Sequence, residues 1–145
     1  MDSVIRPCSG FPLDAHSDFV VALRDLYTAD VHWSAPGRGI ERRGREEVIA
    51  HLLREAGGMR DPEFTCLRRS GNDRQLIDEF AVRFVYTGEG LERAPIEAGD
   101  LVEVKRVRIL ELTDGKVSSE TCIENWSILR RHDAVRPSGC AAETG

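Results

Sequence analysis

The sequence has no Cys-x-x-Cys pair, no glycine-rich phosphate loop, no Ser-His-Asp order and no metal-ligand spacing. These absences argue against a zinc knuckle, a dithiol redox motif, a nucleotide cradle and a hydrolytic triad. Neither a cofactor nor a metal is expected. No apolar run reaches the roughly 18 residues that a membrane helix needs, and the N-terminus lacks the basic-then-apolar layout of a signal peptide. A cytoplasmic protein with no membrane association is the expectation. Basic excess is missing too: 20 Lys and Arg stand against 25 Asp and Glu, for a net charge of −5. That balance disfavours a sequence-blind grip on nucleic acid. There is no internal repeat and no low-complexity segment. The four cysteines, Cys8, Cys66, Cys122 and Cys140, are widely scattered. Cys66 and Cys122 fall in strand patterns and read as small buried hydrophobes.

What is present fits one domain of 145 residues, long enough to bury roughly two thirds of its unfolded surface. Pro7, Gly10 and Pro12 make residues 1–13 a loosely ordered arm, and the small polar composition after 133 reads as a flexible tail. Between them, 14–132 carries the fold. Asp14 or Ser17 caps a helix whose stripe is Phe19, Ala22, Leu23, Leu26 and Tyr27. A short strand follows at 31–35, then an arginine-rich polar connection at 39–44. A second helix opens on Glu46 and Glu47, buries Val48, Ile49, Leu52 and Leu53, and stops at Gly57-Gly58. Strands are expected at 64–69 and 75–87, then a loop at 88–99.

The dominant signal is 101–131, two alternating runs folded about Asp114-Gly115. A type I′ turn needs positive φ at both central residues, and Asp-Gly supplies it. Counting outward from a two-residue loop sets Leu112 opposite Val117, Ile109 opposite Glu120, Lys105 opposite Glu124 and Glu103 opposite Trp126. Arg106 and Arg108 then share a face with Ile123 and Asn125, while Glu120, Cys122, Glu124 and Trp126 lie on the other. Neither face is wholly polar or apolar, which implies a sheet covered on both sides.

Helix, strand, helix and then a strand meander is an α+β order, with helices on one face of a curved antiparallel sheet. The runs LYTADVHWSAPGRG and RGREEVIAHL, with a strand pair joined by LTDGKV, resemble the SnoaL-like branch of the nuclear transport factor 2 superfamily. That superfamily includes ketosteroid isomerases, polyketide cyclases and limonene-type epoxide hydrolases. The resemblance implies an NTF2-like cone with an apolar pocket for a hydrophobic metabolite, and acid-base chemistry without a cofactor. Isomerisation, aldol-type cyclisation and epoxide opening are the reactions it suggests, and a non-catalytic ligand-binding or dimerisation module is the alternative. The chain departs from the family where Pro7 and Pro12 interrupt the usual first long helix. It departs again ten positions after the hairpin glycine, where Asn125 replaces a common aspartate.

Candidate reacting groups are those able to hold or move a proton inside such a pocket. Asp78 lies in line with Phe80, Val82 and Phe84, and Tyr86 shares that face as a proton donor about 13 Å away along the strand. Glu124 is the second carboxylate, although a cross-strand pair with Lys105 explains it without function. Glu120 is a further acid that a buried face would take in. Asn125 can orient a carbonyl or a water. His32 is a candidate base, with neighbouring Trp33 turned inward. Trp33, Phe80, Phe84 and Trp126 are the expected pocket wall. Arg38, Arg42, Arg43 and Arg45 read as a solvated basic loop. Apolar residues on both hairpin faces further imply a homodimer through the open face of the sheet, with Arg83 and Arg106 or Arg108 near the contact.

Overall fold

The computed structural model describes residues 16–132, with side chains from Val20 onward. The expected arm and tail, and the cap at Asp14, lie outside the described residues. Helix α1 spans His16–Leu26, β1 Tyr27–Ala35, β2 Ile40–Arg43, α2 Arg45–Gly57 and β3 Met59–Gly71. Strands β4 (Gln75–Tyr86), β5 (Leu101–Thr113) and β6 (Lys116–Arg130) complete a curved, unclosed sheet in the order β2-β1-β6-β5-β4-β3. It is mixed rather than wholly antiparallel, because β1 runs parallel to β6.

Three boundaries differ from expectation. β1 begins at Tyr27, four residues early, and its pairing with β6 is irregular between Tyr27 and His32. The arginine-rich connection is strand β2, paired with β1 from Ile40 opposite Ala35 to Arg43 opposite His32. β3 starts at Met59 rather than 64 because it is an exposed edge strand. Asp61, with φ of 53°, and the following proline imitate a turn there. Cys66 is exposed and disulfide-bonded rather than a buried hydrophobe, whereas Cys122 is free and buried.

The β5–β6 turn is the expected one, with φ of 52° at Asp114 and 81° at Gly115. Its register is not. Thr113 faces Lys116 and Leu112 faces Val117, but Glu111 then faces Ser119, which leaves Ser118 as a β-bulge. One extra residue on one strand shifts every later pair by one. Glu124 therefore faces Arg106 instead of Lys105, and Glu120 faces Leu110 instead of Ile109. The Ser118 hydroxyl donates to the Glu111 carbonyl at 3.2 Å and accepts from Thr113 Oγ1 at 2.9 Å, which pins the bulge.

The slip moves Glu120, Cys122, Glu124 and Trp126 onto the face that carries Arg106 and Arg108. That face is the interior. One apolar cluster there gathers Leu23, Leu26, Val48 and Ile49 of the helices with Trp33, Leu76, Leu110 and Cys122 of the sheet. A second gathers Phe80, Val82, Phe84, Tyr86, Val102 and Val104, with Leu91 of the loop between β4 and β5. The charged side chains lie between them along β4, β5 and β6. The outer face carries Arg83, Lys105 and Asn125, together with Ile77 and Ile123, which are 38% and 47% exposed. Arg106 and Arg108 thus point away from the open face on which a second copy is expected to meet them.

Candidate active site

Two arginine networks occupy the interior, side by side on β5. The first is centred on Arg106 and Arg38. Arg38 ends the 3₁₀ turn Pro36–Arg38, and Gly39 follows in the left-handed region at φ of 69°. Far from being solvated, the Arg38 side chain is 2% exposed. Its Nε donates to Glu124 Oε1 at 2.8 Å, and its Nη2 to Glu55 Oε2 at 2.7 Å and Glu124 Oε2 at 2.9 Å. Its Nη1 reaches the Glu92 carbonyl at 2.9 Å. Arg106 donates to the same two acids, to Glu124 Oε2 at 3.0 Å and Glu55 Oε1 at 3.1 Å. Both guanidinium groups lie over the Trp126 ring, at 5.4 and 6.0 Å. Burial pushes the Glu55 carboxyl up, but Arg106, His51 and Arg38 more than offset this and hold it well below the usual carboxylate range.

The second network is centred on Arg108. Its Nη2 donates to Asp78 Oδ2 at 3.0 Å and its Nη1 to Glu120 Oε2 at 3.4 Å. Arg69 of β3 also reaches Asp78, at 3.3 Å. Tyr27 donates its hydroxyl to Glu120 Oε1 at 2.7 Å. Burial and the Glu120 charge push the Tyr27 phenol well up, so it stays protonated and donating. The Cys122 thiol, also beside Glu120, is raised for the same two reasons. Asp78 is 0% and Glu120 2% exposed. The Arg108 guanidinium packs 5.7 Å over the Phe80 ring.

The sequence candidates divide on this geometry. Asp78 and Glu124 are both interior, yet each belongs to a different network. Trp33 is buried beside Glu120 in the β1–β6 register, and its ring meets His51 at 4.2 Å. Phe80, Phe84 and Tyr86 line the second apolar cluster, with Trp126 against it. Tyr86 belongs to neither network. Two candidates are not brought together with the rest. His32 is partly exposed and meets Glu41 of β2 at 2.6 Å, and Asn125 stands exposed on the outer face, since the bulge turns it outward.

Sequence reasoning misses six residues of the site, Arg106 and Arg108 among them because it assigns them to a dimer contact. Arg38 reads as a solvated loop residue, and Tyr27 falls in a helix stripe. His51 and Glu55 lie on α2 at the spacing 48, 51, 52, 55, which continues the apolar face of Val48 and Leu52. That periodicity is the available signal. Among the described residues no group of three or more His, Cys, Asp or Glu could hold a metal ion.

The sequence profile of the SnoaL-like domain family matches residues 15–120. The chain belongs to that family. Solved structures agree on the fold of this SnoaL-like domain. One assigned as a SnoaL-like polyketide cyclase from Jannaschia sp. CCS1 superposes with a TM-score of 0.63 at 17% identity, covering 73% of this chain and 72% of that one. A LEH-like epoxide hydrolase from M. tuberculosis gives 0.58 at 14%, covering 84% and 82%. A steroid delta-isomerase from Pseudomonas aeruginosa gives 0.52 at 18%, covering 73% and 67%. At these identities the likeness concerns the fold alone. The comparison with curated proteins finds no match to this chain.

Proposed function

We propose that this SnoaL-like domain carries out cofactor-independent acid-base chemistry on a hydrophobic small molecule bearing a carbonyl or epoxide oxygen. Asp78, Arg108, Glu120 and Tyr27 are the reacting set. One observation carries the reading. These groups stand on β4, β5, β6 and β1, which are consecutive neighbours in one hydrogen-bonded sheet. The ladder already holds those strands, so the network is not required to join them. Two buried carboxylates sharing one guanidinium, with a phenol on one of them, divide the labour of proton transfer. One carboxylate accepts a proton from carbon or water while the other, in its protonated form, returns one to the substrate oxygen, and Arg108 stabilises whichever of the two is ionised. The flanking apolar clusters would take the body of the ligand. Isomerisation, aldol-type cyclisation and epoxide opening all draw on such a pair.

The test is a panel of apolar epoxides and β,γ-unsaturated ketones offered to the wild type, Asp78→Asn and Glu120→Gln. Turnover by the wild type, lost in both variants while circular dichroism stays native, supports the reading. Binding without turnover by any of the three favours the second reading, a non-catalytic ligand-binding module. That alternative has its own support, since every buried carboxylate in the two networks has an arginine partner. For the assembly we propose a homodimer through the outer strip of Ile77, Val107, Ile109 and Ile123, with Arg83 at its margin. A monomer mass by sedimentation at micromolar concentration overturns that part.

A further inference from the structure

The second apolar cluster is closed on one side by a loop rather than by a strand or helix. Leu91 of the β4–β5 loop, 2% exposed, packs among Phe80, Phe84, Tyr86, Val102 and Val104, and Ala94 and Ile96 of the same loop lie against them. An apolar group entering this cluster has to displace something. The residues of β4 and β5 are held by ladder hydrogen bonds, and the loop is not. Among the described residues, no backbone group of 88–96 pairs with backbone outside the loop. Its flanks are tied, by Thr87 N–H to the Gly58 carbonyl and by Gly99 N–H to the Tyr86 carbonyl. Between them, Ala94 bonds back to Leu91 and Ile96 to Ala94, so the loop folds only on itself.

What holds 88–96 down, besides Leu91, is side-chain chemistry at its rim. Arg38 Nη1 donates to the Glu92 carbonyl at 2.9 Å, and Arg42 pairs with the Glu92 carboxylate. Arg93 Nη1 reaches the Arg38 and Gly39 carbonyls at 3.4 and 3.3 Å. All of these run to the segment 38–42, so they act as one latch. The Arg42–Glu92 pair is partly exposed, and water competes for both partners. The two ends of the loop differ. Gly88 stands at φ of 105°, in a region that glycine enters and leaves at little steric cost. At the far end the buried Asp100 carboxylate accepts from the Glu97 and His132 backbone N–H groups and from Arg131, which fixes 97–100.

We infer that residues 88–96 are a lid that swings from Gly88, and that Leu91 holds the place taken by the apolar end of the ligand. The inference rests on the reading of this interior as a site for a hydrophobic small molecule. The end it fits is a compact hydrocarbon about the size of a leucine side chain. Opening frees Arg38 Nη1 from the Glu92 carbonyl, while the Arg38 bonds to Glu55 and Glu124 lie on the sheet side and stay.

Leu91→Cys places a thiol under the lid, and Val104→Cys places one in the same cluster on β5, where Val104 is 0% exposed. Both native variants are treated with iodoacetamide, and peptide mapping separates each site from the chain's own cysteines. Leu91→Cys should react about 10²-fold faster than Val104→Cys, because local opening exposes the first and only wider unfolding the second. Adding Arg42→Ala and Arg93→Ala should quicken it about tenfold more, since the latch is gone. Equal rates for the two sites, or a Leu91→Cys rate that the latch variants leave unmoved, overturn the inference. Should Leu91→Cys not fold, tryptic cleavage after Arg93 reads the same motion. It should quicken in Arg42→Ala, and an unchanged rate overturns the lid. With cyclohexene oxide as the probe, Leu91→Ala should bind about tenfold more tightly than the wild type, because the vacated volume no longer has to be cleared. Unchanged or weaker binding overturns the place-holding role of Leu91. If neither protein binds this probe and the wider panel shows no turnover, the acid-base reading fails, and the labelling rates still decide the lid.

Discussion

Arg106 and Arg108 lie two residues apart on one strand and one face, yet they do different work. The Arg106 network links the 3₁₀ turn, helix α2 and strand β6 through side chains, with sequence separations of 17 and 86 residues. The Arg108 network joins strands that already share ladder hydrogen bonds. Its outlying partner, Arg69, has a side chain 20% exposed and can turn to water. Buried charge thus links turn, helix and sheet in one place and neighbouring strands, the set proposed for chemistry, in the other.

The largest effect should follow from breaking the tether. Glu55→Gln leaves Arg38 and Arg106 with Glu124 alone, a surplus positive charge out of water. Removing one partner of a buried ion pair costs about 3–5 kcal/mol. Urea unfolding should show that loss, and a native midpoint in Glu55→Gln would erase the distinction between the networks. Smaller effects should follow in the sheet-borne set. Asp78→Asn and Glu120→Gln keep their shape, and in the latter the amide carbonyl still accepts from Tyr27. A loss of about 1–3 kcal/mol is expected for each, in line with one compromised buried polar contact. Turnover, by contrast, should disappear.

The comparison also explains what the sequence reveals. The α+β order, both helices, the Asp-Gly turn and the placing of Asp78 on the apolar face of its strand are legible because each is local: a period, a cap or an alternation. The membership of the networks is not. A bulge at Ser118 adds one residue and has no compositional mark, yet it moves Glu120 and Glu124 to the arginine face and Asn125 away from it. Arg38 sits in Pro-Gly-Arg-Gly, which reads as an exposed turn, and its acids lie too far along the chain for any spacing to disclose. His51 and Glu55 are within reach, since they repeat the helical period of Val48 and Leu52.

Two pH effects sharpen the contrast more modestly. The Glu55 carboxyl is depressed in the fold relative to an unfolded value near 4.3. Its contribution to stability is therefore present above about pH 4.3 and lost progressively as the pH falls below it. Acid unfolding should begin there in the wild type and lose that component in Glu55→Gln. The Tyr27 phenol is raised, so its contribution persists below about pH 10, the unfolded value, and falls away above it. Alkaline melts of Tyr27→Phe should lack that decline. The smallest expected change is chemical. Cys122, raised by burial and Glu120, should resist iodoacetamide in the native protein at neutral pH and react fully in urea, as peptide mass mapping would report.

The division of labour between the two networks is tested most directly by measuring urea unfolding free energies for Glu55→Gln and Glu120→Gln side by side under one set of conditions. Glu55→Gln should lose about 2 kcal/mol more than Glu120→Gln, the gap between tethering and ladder-supported charge. Equal losses, or a greater loss in Glu120→Gln, would mean that the Arg108 network holds the fold as firmly as its neighbour, contradicting the assignment of that set to chemistry.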